Sequence, residues 1–188
     1  GYLLPTLVII AIATIIVGCG MPIASSYILL ISLAGPALMA LGVPIYPAHM
    51  FIIYFALFSF ITPPVALGAY ITAAMAETHY MKIGVTAFRL GLIAFIVPFF
   101  FIYQPALVGY GTVSEIALAA VSGLIGAFCM GMGLQGWMYQ QTSVIERIML
   151  ICAGLALIYP GFYTDLLGIV LGVLVFVSQR RKKSLAVS

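Results

Sequence analysis

Long apolar runs, separated by short polar or Gly/Pro-rich breaks, make up nearly the whole chain. The first covers about Leu3 to Val17 and the second about Ala24 to Leu41. Runs this long and continuous predict helices, whereas a membrane barrel would show alternating segments of about 10 residues. Each helix would be about 22–27 Å long, slightly short of the ~30 Å hydrocarbon core of a bilayer. Between the two stands Gly18-Cys19-Gly20-Met21-Pro22, with Ser25 and Ser26 just behind it. Two short helices joined by a Gly/Pro break predict a re-entrant hairpin whose tip lies inside the protein.

Gly42–Pro47 reads as a turn, and a long run follows from Ala48 to Ala76, split by Thr62-Pro63-Pro64. Proline lacks an N–H and clashes with the preceding turn, so this run predicts a helix broken into two halves. Glu77–Lys82 reads as a polar loop, and Val85–Tyr103 as one span with Arg89 near its start and Pro98 inside it. After a loop over Gln104–Ser114, Thr112 with Glu115 forms a capping box ahead of a Gly- and Ala-rich helix, about Glu115 to Leu134. Gln135–Thr142 is polar, and Ser143 with Glu146 forms a second capping box. The last runs, about Val144–Tyr159 and Leu166–Val177, flank Pro160–Asp165, with Asp165 read as the N-cap of the final helix.

Composition places these helices in lipid. The 188 residues are 65% hydrophobic and 6% charged, against roughly 25% charged in a soluble domain. The fold class expected is therefore all-α integral membrane: a polytopic helical bundle with a re-entrant hairpin and a Pro-broken transmembrane helix. Gly1 enters an apolar run almost at once, so the chain is expected to be the C-terminal piece of a longer polypeptide. The net charge of +3 comes from Arg180-Arg181-Lys182-Lys183. Directly after a span, such a stretch reads as a cytoplasmic anchor rather than a nucleic-acid patch. With that tail inside, alternating backwards puts the Gln135–Arg147 and Glu77–Arg89 loops inside as well. Every Lys and Arg then falls on the cytoplasmic side, and the hairpin dips in from the outer face.

In lipid, an unpartnered backbone N–H or C=O costs several kcal/mol, so irregular backbone persists only where protein buries it or a cavity wets it. A broken helix exposes carbonyls at the end of one half and amides at the start of the other. The carbonyls suit Na⁺ or another small cation; the amides, backed by the helix dipole, suit a carboxylate. Secondary transporters build midplane sites in this way. The candidate cation and substrate site is therefore Gly18, Gly20, Met21, Pro22, Ser25, Ser26, Thr62, Pro63 and Pro64. No other cofactor and no further metal site is expected. Cys19, Cys129 and Cys152 have no metal-ligand spacing and read as small apolar side chains.

Three stretches carry a family resemblance: Gly20-Met21-Pro22 with Ser25-Ser26-Tyr27; Ile61-Thr62-Pro63-Pro64-Val65-Ala66-Leu67; and Thr86-Ala87-Phe88-Arg89-Leu90-Gly91. Over about residues 1–108 the chain resembles the C-terminal part of the large membrane subunit of tripartite ATP-independent periplasmic (TRAP) transporters, of the fused-permease type. Residues 115–178 resemble the extra C-terminal membrane region of fused permeases. The resemblance implies Na⁺-driven uptake of an organic acid delivered by a periplasmic solute-binding protein. It also implies an elevator-like transport domain, and two inverted repeats of which this chain holds the second. Gly18–Ser26 would be the second hairpin tip and Thr62-Pro63-Pro64 the break in the helix after it. The partners implied are the binding protein, the N-terminal part of the permease, the organic acid and the bilayer of a bacterial or archaeal cytoplasmic membrane. The division expected is residues 1–108, permease, and 109–188, C-terminal membrane helices with a basic tail.

Other residues read as structural. His49 sits after a turn at the outer interface, His79 in a solvated loop, and Arg89 at a helix start, snorkelling to the inner surface. Glu115, Glu146 and Asp165 have capping explanations, which leaves no intramembrane carboxylate and favours Na⁺ over H⁺. Trp137, Tyr139, Tyr159 and Tyr163 suit interfacial belts. The competing class is a non-catalytic scaffold or assembly module whose breaks serve packing alone. An enzyme is not expected: no HExxH or GxSxG occurs, and no His lies at helical spacing from Ser25.

Overall fold

A computed structural model describes residues 2–159 and 161–185, with backbone only at 162 and 181–185. The side chains of Arg181, Lys182 and Lys183, expected to form the anchor, lie outside the described residues, as do Gly1 and Pro160. Among the described residues there is no strand, and the chain is an all-α, polytopic membrane protein. Three helices are long and apolar enough to cross a membrane, or four if one bent pair counts as a span. The helices form two compact units, residues 1–102 and 103–188.

In the first unit, α1 (Leu3–Gly18) and α2 (Ile23–Ala40) form the hairpin, and α3 (Ile45–Ser59) packs against both. The turn before α3 is shorter than the sequence suggested. Pro44 is the N-cap and Pro47 lies in the first turn, where a missing N–H costs nothing. The shared core joins Leu7, Ile10, Leu30, Leu38, Phe51 and Phe55, and Phe99 sets its ring edge-on to both phenylalanines of α3. The expected break follows α3, and α4 (Leu67–Met75) resumes the helix.

Two expectations change beyond α4. The Glu77–Lys82 loop is shorter, because α5 (Tyr80–Leu90) starts within it and His79 is its N-cap, accepting from the Met81 N–H at 3.3 Å. The single Val85–Tyr103 span is broken instead. A 3₁₀ turn at Leu92–Phe95 separates α5 from α6 (Val97–Tyr103), with a bend of 64°. Pro98 explains the restart: it is the second residue of α6, a position that needs no N–H, whereas a continuous helix would need one there. Gly91 allows the bend to pack closely, since a Cβ there would lie 3.0 Å from Ile61 Cδ1. Arg89 thus stands in the last turn of α5, where its charge complements the helix dipole rather than opposing it.

In the second unit, a 3₁₀ turn at Pro105–Val108 precedes α7 (Val113–Gln135). Both capping boxes form as the sequence indicated, at Thr112/Glu115 and at Ser143/Glu146, which opens α8 (Val144–Ile158). Glycines let α7 and α8 approach until backbones touch: a Cβ at Gly154 would lie 2.6 Å from the Gly126 carbonyl, and one at Gly133 3.0 Å from that of Arg147. Arg147 donates from Nε to the Gly133 carbonyl and from Nη2 to that of Leu134, both at 3.1 Å, satisfying the C-terminal end of α7. The final helix, α9 (Phe162–Leu185), starts before Asp165 and runs past Val177. Asp165 is therefore a first-turn residue, not the N-cap; its N–H donates to the Gly161 carbonyl at 2.8 Å.

Candidate functional site at two backbone breaks

The hairpin tip is a tight turn. The Cys19 N–H still donates to Ile15, closing α1, and Gly20 then takes a φ of +91°, a region side-chain-bearing residues avoid. Met21 N–H reaches back to the Gly18 carbonyl at 3.4 Å. Pro22 is the N-cap of α2, and its carbonyl accepts from the Ser26 N–H at 3.0 Å.

The second break unwinds in steps. Phe60, Ile61 and Thr62 donate to Leu57, Phe58 and Ser59, three residues back rather than four, so the end of α3 tightens before Pro63-Pro64, which is a cis peptide. Ala66 then adopts a left-handed conformation, φ +41°, while almost wholly buried. That conformation is costly for a residue with a Cβ and persists only where surroundings enforce it. The enforcement is visible: the Ala66 N–H donates to the Thr62 carbonyl, the Gly68 N–H to that of Phe60, and α5 packs close at Gly84, where a Cβ would lie 3.3 Å from that of Ala66.

The two breaks meet. A Cβ at Gly18 would collide with the Ser59 side chain, 2.7 Å from its Cβ, so the end of α1 rests directly on the end of α3. Hydroxyls occur on the helices on either side of this contact. Ser59 Oγ donates to the Ala56 carbonyl at 2.7 Å and Thr62 Oγ1 to that of Phe58 at 2.6 Å. Thr14, wholly buried on α1, donates to Ile10 at 2.7 Å. Each gives its proton to its own helix and keeps oxygen lone pairs for another partner. Ser26 is wholly buried, yet its Oγ has no hydrogen-bond partner. An oxygen left so in a protein interior costs about 1–3 kcal/mol.

The nine residues singled out from sequence separate in space. Gly18, Ser26 and Thr62 are buried, Met21 and Pro63 half-buried, and Gly20, Pro22, Ser25 and Pro64 exposed. Ser59 and Thr14 were missed; an isolated hydroxyl in an apolar helix, three residues ahead of Thr62, is the only sequence signal for Ser59. His49 is more than an interface residue. Its Nδ1 lies 2.6 Å from Tyr27 Oη, joining α2 to α3 beside a cavity of ≈ 370 Å³ lined also by Tyr46 and Met50. Glu146 likewise exceeds its capping role: its buried carboxylate accepts from Ser178 Oγ at 2.9 Å and Gln179 Nε2 at 2.8 Å, joining α8 to α9.

Among the described residues no group of three or more His, Cys, Asp or Glu side chains is placed to hold a metal ion, and all three cysteines are free. What the breaks offer is hydroxyl and carbonyl oxygen, the ligand type of a hard cation. Comparison with curated proteins returns no match, and neither does comparison with solved structures. Residues 2–116 match the family model described as "Tripartite ATP-independent periplasmic transporter, DctM component".

Proposed function

Since the chain belongs to the DctM component family of tripartite ATP-independent periplasmic transporters, we propose that it forms part of a secondary active permease that takes up an organic acid with Na⁺. A periplasmic solute-binding protein delivers the substrate, and the C-terminus faces the cytoplasm. The observation that supports the site is the contact of Gly18 with Ser59, where the helix end before one break rests on the helix end before the other. Na⁺ enters as a co-substrate among carbonyl and hydroxyl oxygens at Gly18–Pro22, Ser26 and Ser59–Thr62. The carboxylate of the organic acid is met by the N–H groups that open α2, whose dipole favours an anion. The rest of the permease supplies the other half of the site. Elevator-like movement of this region accounts for transport without covalent chemistry.

The test is uptake by the full permease in proteoliposomes, with its binding protein and an imposed Na⁺ gradient. Replacing Pro63-Pro64 by Ala-Ala restores the N–H groups a continuous helix needs and should abolish uptake while the protein still inserts. Uptake at the wild-type rate would overturn the site assignment, and uptake indifferent to Na⁺ would overturn the coupling.

For residues 117–188, beyond the family match, assembly is the role supported best. These helices pack on one another through glycine contacts and the buried Glu146 carboxylate, with no unwound segment within a helix among the described residues.

A further inference from the structure

In the second unit α7 and α9 both pack on α8 but scarcely touch each other. The space between them is a crevice of ≈ 400 Å³, floored by Leu150 and Leu157 of α8 and walled by Cys129, Gly168, Gly172 and Phe176. Its rim is open: Ile125, Ile169 and Val173 line it and are each about half exposed. Both flanking helices are long and apolar enough to cross a membrane, so the mouth faces acyl chains. Gly172 creates much of the space, for a Cβ there would meet only Cys129 Sγ, at an ordinary 3.6 Å.

Size decides what fits. From Gly168 to Phe176 the crevice runs about 12 Å along α9 and is roughly 9 Å across between the surfaces of its lining atoms. A helix with side chains is wider, about 10–12 Å, whereas hydrocarbon chains fit within this wholly apolar lining. The chemistry at one end completes the picture. Met138 closes the crevice there, next to exposed Trp137, and Tyr139 sets its ring edge-on to Phe176, 5.6 Å between centroids. One turn beyond Phe176 on the same face stands exposed Arg180, and Arg181, Lys182 and Lys183 follow in the chain. Aromatic rings and a cation at the end of an apolar slot are the features that hold an anionic headgroup at the membrane surface.

We infer that the crevice between α7 and α9 is a binding site for one anionic phospholipid, with an acyl chain along Gly168–Phe176 and the phosphate at Arg180.

The full permease, reconstituted in nanodiscs of equal phosphatidylglycerol and phosphatidylcholine and then extracted, is analysed by native mass spectrometry. One retained phosphatidylglycerol is expected. Gly172→Phe fills the slot and should remove it. Ile169→Trp narrows the mouth from the lipid-facing rim and should do the same if Gly172→Phe does not fold. Arg180→Gln should keep a lipid but lower the preference for phosphatidylglycerol about fivefold, the ~1 kcal/mol of one juxtamembrane cation. A photoreactive benzoylphenylalanine at position 169 should gain the mass of a phospholipid. No retained lipid in the wild type, undiminished retention in both slot variants, or a protein adduct from position 169 would each overturn the assignment.

Discussion

Gly18 and Ser26 make opposite demands on a substitution. At Gly18 a methyl group has nowhere to go, because Ser59 occupies its place. Gly18→Ala should push the hairpin off α3, costing about 1–3 kcal/mol as overpacking does, and should lower Na⁺-driven uptake. Ser59→Gly opens the same space, so the double variant should recover part of the lost stability but not the uptake, since it lacks the Ser59 hydroxyl; a strictly additive effect on stability would mean that the two residues do not share a contact. Ser26 fits its buried place but lacks a partner for its hydroxyl. Ser26→Ala removes an unsatisfied buried hydroxyl, so thermal stability should hold or rise by about 1 kcal/mol while uptake falls. Unchanged uptake in that variant would remove Ser26 from the site.

At the scale of elements, Glu146 is the point where α8 and α9 depend on each other. Glu146→Ala leaves Ser178, Gln179 and the Ser143 N–H without their acceptor. It should destabilise the protein by about 2–4 kcal/mol, with Glu146→Gln, which keeps one oxygen, losing less. Melting of the purified permease in detergent reads this directly, and an unchanged midpoint for Glu146→Ala would mean the contact holds nothing together. The elements best read from sequence are those punctuated locally: Gly18–Pro22, Pro63-Pro64 and the two capping boxes all act through their own backbone chemistry. The 64° bend at Gly91 was not legible, because the apolar run through it is continuous and Pro98 could equally have sat within a kinked helix. What selects the break is packing of Gly91 on Ile61, a contact between distant segments. The candidate site divides in the same way. Its glycines and prolines announce themselves, whereas Ser59 joins it only because the ends of α1 and α3 come together in space.

For the whole molecule, the two units differ in what they contribute. The family match covers the first unit and ends at residue 116, a few residues into α7. Deleting residues 112–188 from the full permease should lower its amount in the membrane several-fold, as loss of a stabilising part does, with transport per remaining molecule retained. Normal abundance with no transport would instead place the second unit in the mechanism.

The lengths of α1 and α3 have an electrical consequence. With 16 and 15 residues they reach about 24 and 22 Å, less than the ~30 Å of the hydrocarbon core. A monovalent ion resting where they end has therefore traversed part of the membrane field, and each full elementary charge carried across is worth ~2.3 kcal/mol per 100 mV. Loading the site would then be a voltage-sensing step in its own right, so the apparent affinity for Na⁺ should shift with membrane potential even when the organic acid is absent.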